Sequence, residues 1–209
     1  EFSQDILLSE PSLAAYRLFN GFWEGWPHLA VDLYGHTLLI HGYAQNHEDN
    51  LAAAPLVQDF YRSALPLKSV LLKSRSASSH ILRRGILLSG DSLPDQITEY
   101  GVQYALDLRL HQDASLYLDT RLLRRWALDH LSQAKVLNTF AYTGSLGAAA
   151  LAGGARQVLQ TDLSPGFLSL ARSTYQFNGW QSHEQDLIPG DFFSIVARLK
   201  RQGELFDCI

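Results

Sequence analysis

Hydrophobic and polar positions follow two rhythms along this chain, and the rhythm changes near Asp119. Before that point the apolar runs are short and broken by turn residues. Leu29 to Tyr34 and Thr37 to His41, parted by Gly35-His36, predict two strands joined by a tight turn. Ala15 to Phe19 runs into the turn signal Asn20-Gly21. Leu51, Ala54, Leu56, Val57, Phe60, Tyr61 and Leu65 recur at helical spacing, so a helix is predicted from a cap at Asp49 or Asn50 to about Ala64. Lys68 to Lys73 and Ile86 to Leu88 read as further strands. The alternation of Val102, Tyr104, Leu106 and Leu108 predicts one more over 101–110.

After Asp119 helices and strands alternate, the mark of a parallel sheet with helices on its faces. The pattern predicts a helix over 119–131 with Leu122, Leu123, Trp126 and His130-Leu131 facing inward. A strand follows over Lys135 to Phe140, then a short helix from Gly144 closed by Gly153-Gly154. A second strand, Gln157 to Thr161, ends at Asp162; Ser164-Pro165 caps the next helix, which runs to Asn178-Gly179. Beyond a loop, Asp191 caps a helix to about Arg201, and Leu205 to Ile209 starts another strand. The two rhythms divide the chain into 1–100 and 101–209, with the junction near 96–116.

Composition narrows the classes. The 209 residues are 46% hydrophobic and 18% charged, enough for a packed core. A net charge of -4 argues against a general nucleic-acid coat protein, which must neutralise phosphates, but leaves room for a local basic face. The single cysteine, Cys208, excludes an internal disulfide framework and a zinc cluster, and no other metal centre is expected. No apolar stretch approaches the roughly 20 residues of a membrane span, and Glu1-Phe2-Ser3-Gln4-Asp5 is no signal-peptide start. The expectation is a cytoplasmic protein without membrane contact. The chain has no methionine and stops within a predicted strand, so further residues are expected after Ile209.

The stretch with chemical content is Val136 to Gly147, an apolar strand, a turn, and a helix start rich in small residues. Such a turn lets a ligand approach the backbone at a helix N-terminus. It lacks G-x-G-x-x-G, the dinucleotide fingerprint. Asp162 stands at the end of the second strand, where a carboxylate accepts from both hydroxyls of a ribose. Asp191-Phe192 opens the helix after the third expected strand, where a carboxylate can take an adenine amino group while the Phe192 backbone and an apolar side chain meet the ring. Each feature has a plainer use: Gly144 and Gly147 for close packing, Asp162 as a turn residue, Asp191 as a cap. Three such features at successive strand ends, in this order, favour one ligand site.

Val136 to Gly154 (VLNTFAYTGSLGAAALAGG) and QVLQTDLSPGFLSLARSTYQFNGW resemble the RlmI/YccW-like group of class I S-adenosylmethionine (SAM)-dependent rRNA methyltransferases. Asp113 to Arg125 (DASLYLDTRLLRR) and Tyr16 to Tyr34 (YRLFNGFWEGWPHLAVDLY) extend the likeness over nearly the whole chain. The resemblance implies an α/β fold: a Rossmann-like SAM methyltransferase domain over 101–209, preceded over 1–100 by a small α+β (EEHEE-like), RNA-contacting domain. It places Tyr117, Asp119 and Arg121 in the segment that closes over SAM, and Asn138, Phe140, Tyr142 and Gly144 in the loop beside its methionine part. Asp162, with Leu163 beside it, becomes the ribose acid, and Asp191 and Phe192 the adenine contacts. Ser115 stands where the family pattern has glycine, and Asp113 where it has lysine. The family's Asp-Pro-Pro loop is absent from the 209 residues, so catalytic residues are expected C-terminal to Ile209.

Between Phe60 and Gly90 lie Arg62, Lys68, Lys73, Arg75, Arg83 and Arg84. They read either as a face that meets RNA phosphates, with Arg75, Arg83 and Arg84 as contacts, or as a solvated face balanced by Asp91, Asp95 and Glu99. The resemblance favours RNA, ribosomal RNA in particular. Three other functions stay open: a noncatalytic RNA-binding or assembly protein on a methyltransferase-like fold, a methyltransferase of a non-RNA substrate, and a nicotinamide-dependent dehydrogenase. A homodimer stays open as the assembly.

Overall fold

The computed structural model describes residues 14–111 and 113–209, so Glu1 to Asp5 lies outside the described residues. The chain divides by contact into two compact units. One takes the described residues up to Glu99 together with Asp107–Ala114; the other takes Tyr100–Leu106 and Ser115–Ile209. The chain therefore passes between units three times, inside the stretch that the sequence marks as the junction.

The first unit is a five-stranded sheet in the order β1-β2-β3-β4-β5, made of β1 (Ala15–Phe19), β2 (Leu29–Tyr34), β3 (Thr37–Gly42), β4 (Ser69–Ser74) and β5 (Ile86–Ser89). It has one strand more than the four of an EEHEE arrangement. β3 and β4 are parallel, with Leu38 opposite Val70 and Ile40 opposite Leu72. A parallel pair needs a crossover, supplied here by α1 (His47–Arg62). Leu29, Val31, Leu38, Ile40, Val70 and Leu72 face Ala54 and Val57 of that helix and form the core.

The helix start differs from expectation. Asn46, not Asp49 or Asn50, occupies the cap position. Asn50 is buried, and its Oδ1 accepts from the Ala44 N–H at 3.1 Å, closing the β3–α1 connection. Leu51, Leu56 and Phe60, among the apolar positions at helical spacing, are exposed. A sheet this narrow covers only the stripe through Asn50, Ala54 and Val57. A short helix α2 (His80–Arg84) precedes β5, and β6 (Gln96–Glu99) ends the unit's main run.

The other sheet face carries a polar cluster. Asp32 accepts from His41 Nε2 at 2.9 Å and from Arg17 Nη2 at 3.2 Å. Burial alone would raise the Asp32 carboxyl; the His41 and Arg17 hydrogen bonds and charges outweigh it and hold the group below its usual range.

The second unit begins with β7 (Val102–Ala105). The strand predicted over 101–110 stops there because Asp107 Oδ1 takes the Arg109 N–H at 2.8 Å and turns the chain. Next come α3 (Arg121–His130), β8 (Lys135–Thr139), α4 (Ser145–Ala152), β9 (Gln157–Asp162), α5 (Pro165–Phe177), β10 (Leu187–Pro189) and α6 (Phe192–Arg201). β8, β9 and β10 are parallel in the order β10-β9-β8. On the free side of β8 a parallel bridge joins Val136 to Cys208, where the sequence predicts a new strand. The order of strands thus reverses at β8, and in open α/β sheets ligands bind at such a reversal, outside the carboxyl ends.

Local chemistry sets the helix starts. Ser164 accepts from the Phe167 N–H with Pro165 in the first turn, and Asp191 accepts from the Ser194 N–H at 3.0 Å. Of the inward stripe predicted for 119–131 only Leu131 is buried: Leu122 is 78% exposed, Leu123, Trp126 and His130 are exposed too, and Arg124 and Ala127 are buried instead. Ala127 packs with Val136, Ala149, Ala150 and Val158 on one side of the sheet; Leu137, Leu159, Ile195 and Leu199 pack on the other.

Candidate functional site

The turn after β8 holds an unusual backbone. Phe140, Tyr142 and Gly144 have φ of 52°, 53° and 78°, so alternate residues lie in the left-handed region. Only glycine adopts it without strain, and strain of this kind gathers at ligand sites. Asp162, at the end of β9, holds the turn in place: its Oδ2 accepts from the Tyr142 N–H at 2.8 Å and its Oδ1 from the Ser164 N–H at 2.9 Å. The Ala141 N–H donates to the Thr161 carbonyl at 2.9 Å, and the Gly190 N–H to the Asp162 carbonyl at 2.9 Å. Three successive strand ends are thereby tied together.

These ties enclose a hollow of about 170 Å³ lined by Phe140, Thr161, Asp162, Leu163, Gly190, Asp191, Phe192 and Phe193. Phe140, 70% exposed, stacks on Phe192 with centroids 4.9 Å apart and ring planes 26° apart. The Ser194 backbone N–H, then its hydroxyl, hold the exposed Asp191 carboxyl below its usual range, so it is an anion at neutral pH. A carboxylate oxygen has more than one acceptor lone pair, so the backbone bonds to Asp162 leave capacity for two hydroxyl donors. Two carboxylates, two stacked rings and an exposed Leu163 around one hollow suit a nucleoside: hydroxyls at Asp162, ring at Phe140 and Phe192, exocyclic amine at Asp191.

Asn138 and Gly144 stand beside this hollow rather than in it. Asn138 Nδ2 donates to Gln160 Oε1 at 2.8 Å. A side chain at Gly147 would place its Cβ 2.4 Å from Gln160 Oε1, so the plainer use of that glycine, close packing, holds. Tyr142 stacks on Tyr117 with centroids 4.9 Å apart. The Thr143 hydroxyl donates to the Ser115 carbonyl, tying the segment before α3 to the same turn. Ser115 has φ 62°, which accounts for the glycine of the family pattern: the backbone there is left-handed, and serine holds it at a cost of roughly 1–2 kcal/mol. Asp119 is exposed, and Arg121 lies against Tyr100, its guanidinium 5.3 Å from the ring centroid.

Sequence reasoning missed Gln160, Tyr175 and Arg124. Arg124 is wholly buried and donates to the Tyr117 carbonyl and to Thr120 Oγ1, both at 2.7 Å. A hollow of about 940 Å³, far larger than the one beside Asp162, opens near the starts of β8 and β9 between Lys135, Gln157, His183 and Arg198. It includes no predicted site residue, and of the strand carboxyl ends only that of β10, at Pro189, borders it.

In the first unit Arg75 lies 3.6 Å from Asp113 and 6.0 Å from the Tyr43 ring centroid, and Arg84 Nε donates to the Arg109 carbonyl at 2.9 Å. Arg83 is in the last turn of α2 and half-buried. Lys73, part of the same basic run, is fully buried and donates to the Asp113 carbonyl, so it is withdrawn from any RNA-facing surface. Burial, then the charge of Arg75, push its ammonium down to about 7 from 10.5. Between those values the unfolded chain binds the extra proton, so stability rises with pH from about 7 to 10.5. Lys73→Met should flatten that rise; thermal melts of both proteins at pH 7 and 9 check it.

Among the described residues no group of three or more His, Cys, Asp or Glu is placed to hold a metal ion, and no helix is long and apolar enough to cross a membrane.

A family model described as S-adenosylmethionine-dependent methyltransferase matches residues 17–209. Ribosomal RNA large subunit methyltransferase I of Aeromonas salmonicida is 31% identical over 212 residues, covering 99% of this chain and 53% of the relative. The protein of the same name from Photobacterium profundum is 29% identical over 211 residues, with 99% and 52% covered. The chain spans about half the length of the curated relatives it matches. A protein from Streptococcus mutans shares the fold with a TM-score of 0.82 at 24% identity, over 98% of this chain and 53% of that one. SMU.776, solved with SAH, shares it with a TM-score of 0.84 at 22% identity, over 98% and 52%.

Proposed function

The chain belongs to the S-adenosylmethionine-dependent methyltransferase family, and from that premise we propose that its second unit binds SAM for methyl transfer to a base of RNA, ribosomal RNA in particular. The observation that carries this reading is the single hollow that Asp162 and Asp191 line together at the strand-order reversal. Asp162 takes the ribose hydroxyls, with Leu163 against the sugar. Asp191 and Phe192 take the adenine. Asn138, Tyr142 and Gly144 hold the methionine end; Phe140, expected with them from the sequence, lies against Phe192 on the adenine side. Tyr117, Asp119 and Arg121 belong to the segment that covers the donor. SAM brings a methyl group already activated on a sulfonium, so the work of these residues is to bind and orient the donor and to keep water away. The first unit, with Arg75, Arg83 and Arg84, is the candidate RNA-contacting part; relatives named for a ribosomal RNA reaction support that choice.

The test has two steps. Calorimetric titration of the chain with SAH, the donor without its methyl group, should give a dissociation constant well below about 1 mM, a value worth only ~4 kcal/mol. The gene product that carries this chain should then move labelled methyl from SAM into purified ribosomal RNA and not into protein or metabolite pools. RNA binding without SAH binding would establish the noncatalytic reading instead; methyl in a non-RNA pool would overturn the substrate.

A further inference from the structure

Gln160 lies in the middle of β9 and is fully buried, an uncommon place for an amide side chain. Both ends of its amide are used. Its Oε1 accepts from Asn138 Nδ2 at 2.8 Å, and its Nε2 donates to the Tyr175 hydroxyl at 2.8 Å. Its head lies directly under the turn and the first helical turn that follow β8. An added Cβ would come within 2.9 Å of it at Gly144 and 2.4 Å at Gly147. Asn138 and Gln160 are register partners on neighbouring parallel strands, so their side chains share a face. Tyr175, on α5, is itself 1% exposed.

An asparagine amide offers two donors at one end and an acceptor at the other. With one of the two Nδ2 hydrogens committed to Gln160, the orientation of the amide is fixed, and its carbonyl oxygen is the acceptor left to a ligand. That oxygen accepts from an ammonium and repels a carboxylate. We propose that Gln160, anchored by Tyr175, is a positioning residue for the amino-acid end of the methyl donor, turning the Asn138 carbonyl oxygen toward the donor's ammonium. The proposal rests on the SAM-site reading above and adds a group that touches no ligand. Burial raises the Tyr175 phenol to about 12, so the anchor stays a neutral hydroxyl across the working pH range.

The discriminating measurement is a ligand comparison. SAH carries the ammonium; 5′-methylthioadenosine has the same nucleoside and no amino-acid end. Each is titrated calorimetrically into the chain and into Gln160→Met and Tyr175→Phe, with thermal melts to show that each variant folds. Gln160→Met should weaken SAH about tenfold, the loss of one hydrogen bond to a charged group, and leave methylthioadenosine within about twofold. Tyr175→Phe, which keeps Gln160, should show the same split at a smaller factor. Equal weakening of both ligands would make Gln160 a packing residue only, and unchanged SAH binding would remove it from the site; either result overturns the proposal. If the unaltered chain takes neither ligand, the SAM-site reading beneath it falls as well.

Discussion

Asp162→Ala is expected to weaken SAH binding at least about a hundredfold. Two losses combine in that number. The carboxylate is the proposed acceptor for both ribose hydroxyls, and a hydrogen bond to a charged group is worth about 1.5–3 kcal/mol. Two such bonds correspond to a factor of a hundred or more. The same carboxylate also pins the Tyr142 and Ser164 N–H groups, so alanine releases the turn that shapes the hollow. Asp162→Asn keeps one acceptor oxygen and should lose only about tenfold. Calorimetry on the three proteins checks the order. Binding to the alanine variant as tight as to the unaltered chain would show that the ribose lies elsewhere.

Arg124→Met should cost about 2–4 kcal/mol of stability, one of the largest effects expected of a single substitution here. Its guanidinium is wholly buried, over the Tyr104 ring at 5.7 Å, and bonded to the Tyr117 carbonyl and Thr120 Oγ1. Methionine fills much of the same volume but gives up the bonds to those acceptors, each worth about 1.5–3 kcal/mol from a charged donor, and leaves the Tyr117 carbonyl with only the Thr120 hydroxyl at 2.9 Å. Because the Tyr117 carbonyl is one of them, the loss extends to the segment that stacks on Tyr142. SAH affinity should therefore fall along with the urea midpoint. Arg124→Lys, with a point charge in place of a planar fork, should recover only part of either. A variant as stable as the parent would mean that Arg124 is a bystander.

The candidate site was legible in the sequence because it is built at strand ends. An acidic residue closing an apolar run, or a glycine opening a small-residue helix, announces its position through the chain's local pattern. Asp162, Asp191 and Gly144 are of this kind. Gln160 and Tyr175 are not: each sits within an element, where alternation says only that a face exists, and a buried amide looks like a solvent-facing one. Arg124 misled for the same reason. Hydropathy assigns arginine to the surface and Leu122, Leu123 and Trp126 to the interior, yet the packed stripe of α3 runs through Arg124 and Ala127. In α1 more apolar positions recur at helical spacing than the sheet covers.

Strand boundaries show a related limit. β10 has only three residues, one of them Pro189, and gives no β-rich run to read. It exists because β9 offers it a parallel ladder, Leu187 opposite Gln160 and Ile188 opposite Thr161. The strand predicted over 101–110 was too long because the alternation continued through Leu106 and Leu108, both buried, after Asp107 had already turned the backbone. Burial continued where hydrogen-bonded pairing stopped.

A crystal structure of the chain with SAH tests the account most directly. The ribose hydroxyls should lie within hydrogen-bonding distance of both Asp162 oxygens, the adenine should sit against Phe140 and Phe192 with its amino group at Asp191, and the ammonium should face Asn138 Oδ1. SAH in the larger hollow near Lys135 and His183, or at the carboxyl ends without touching Asp162, would contradict it.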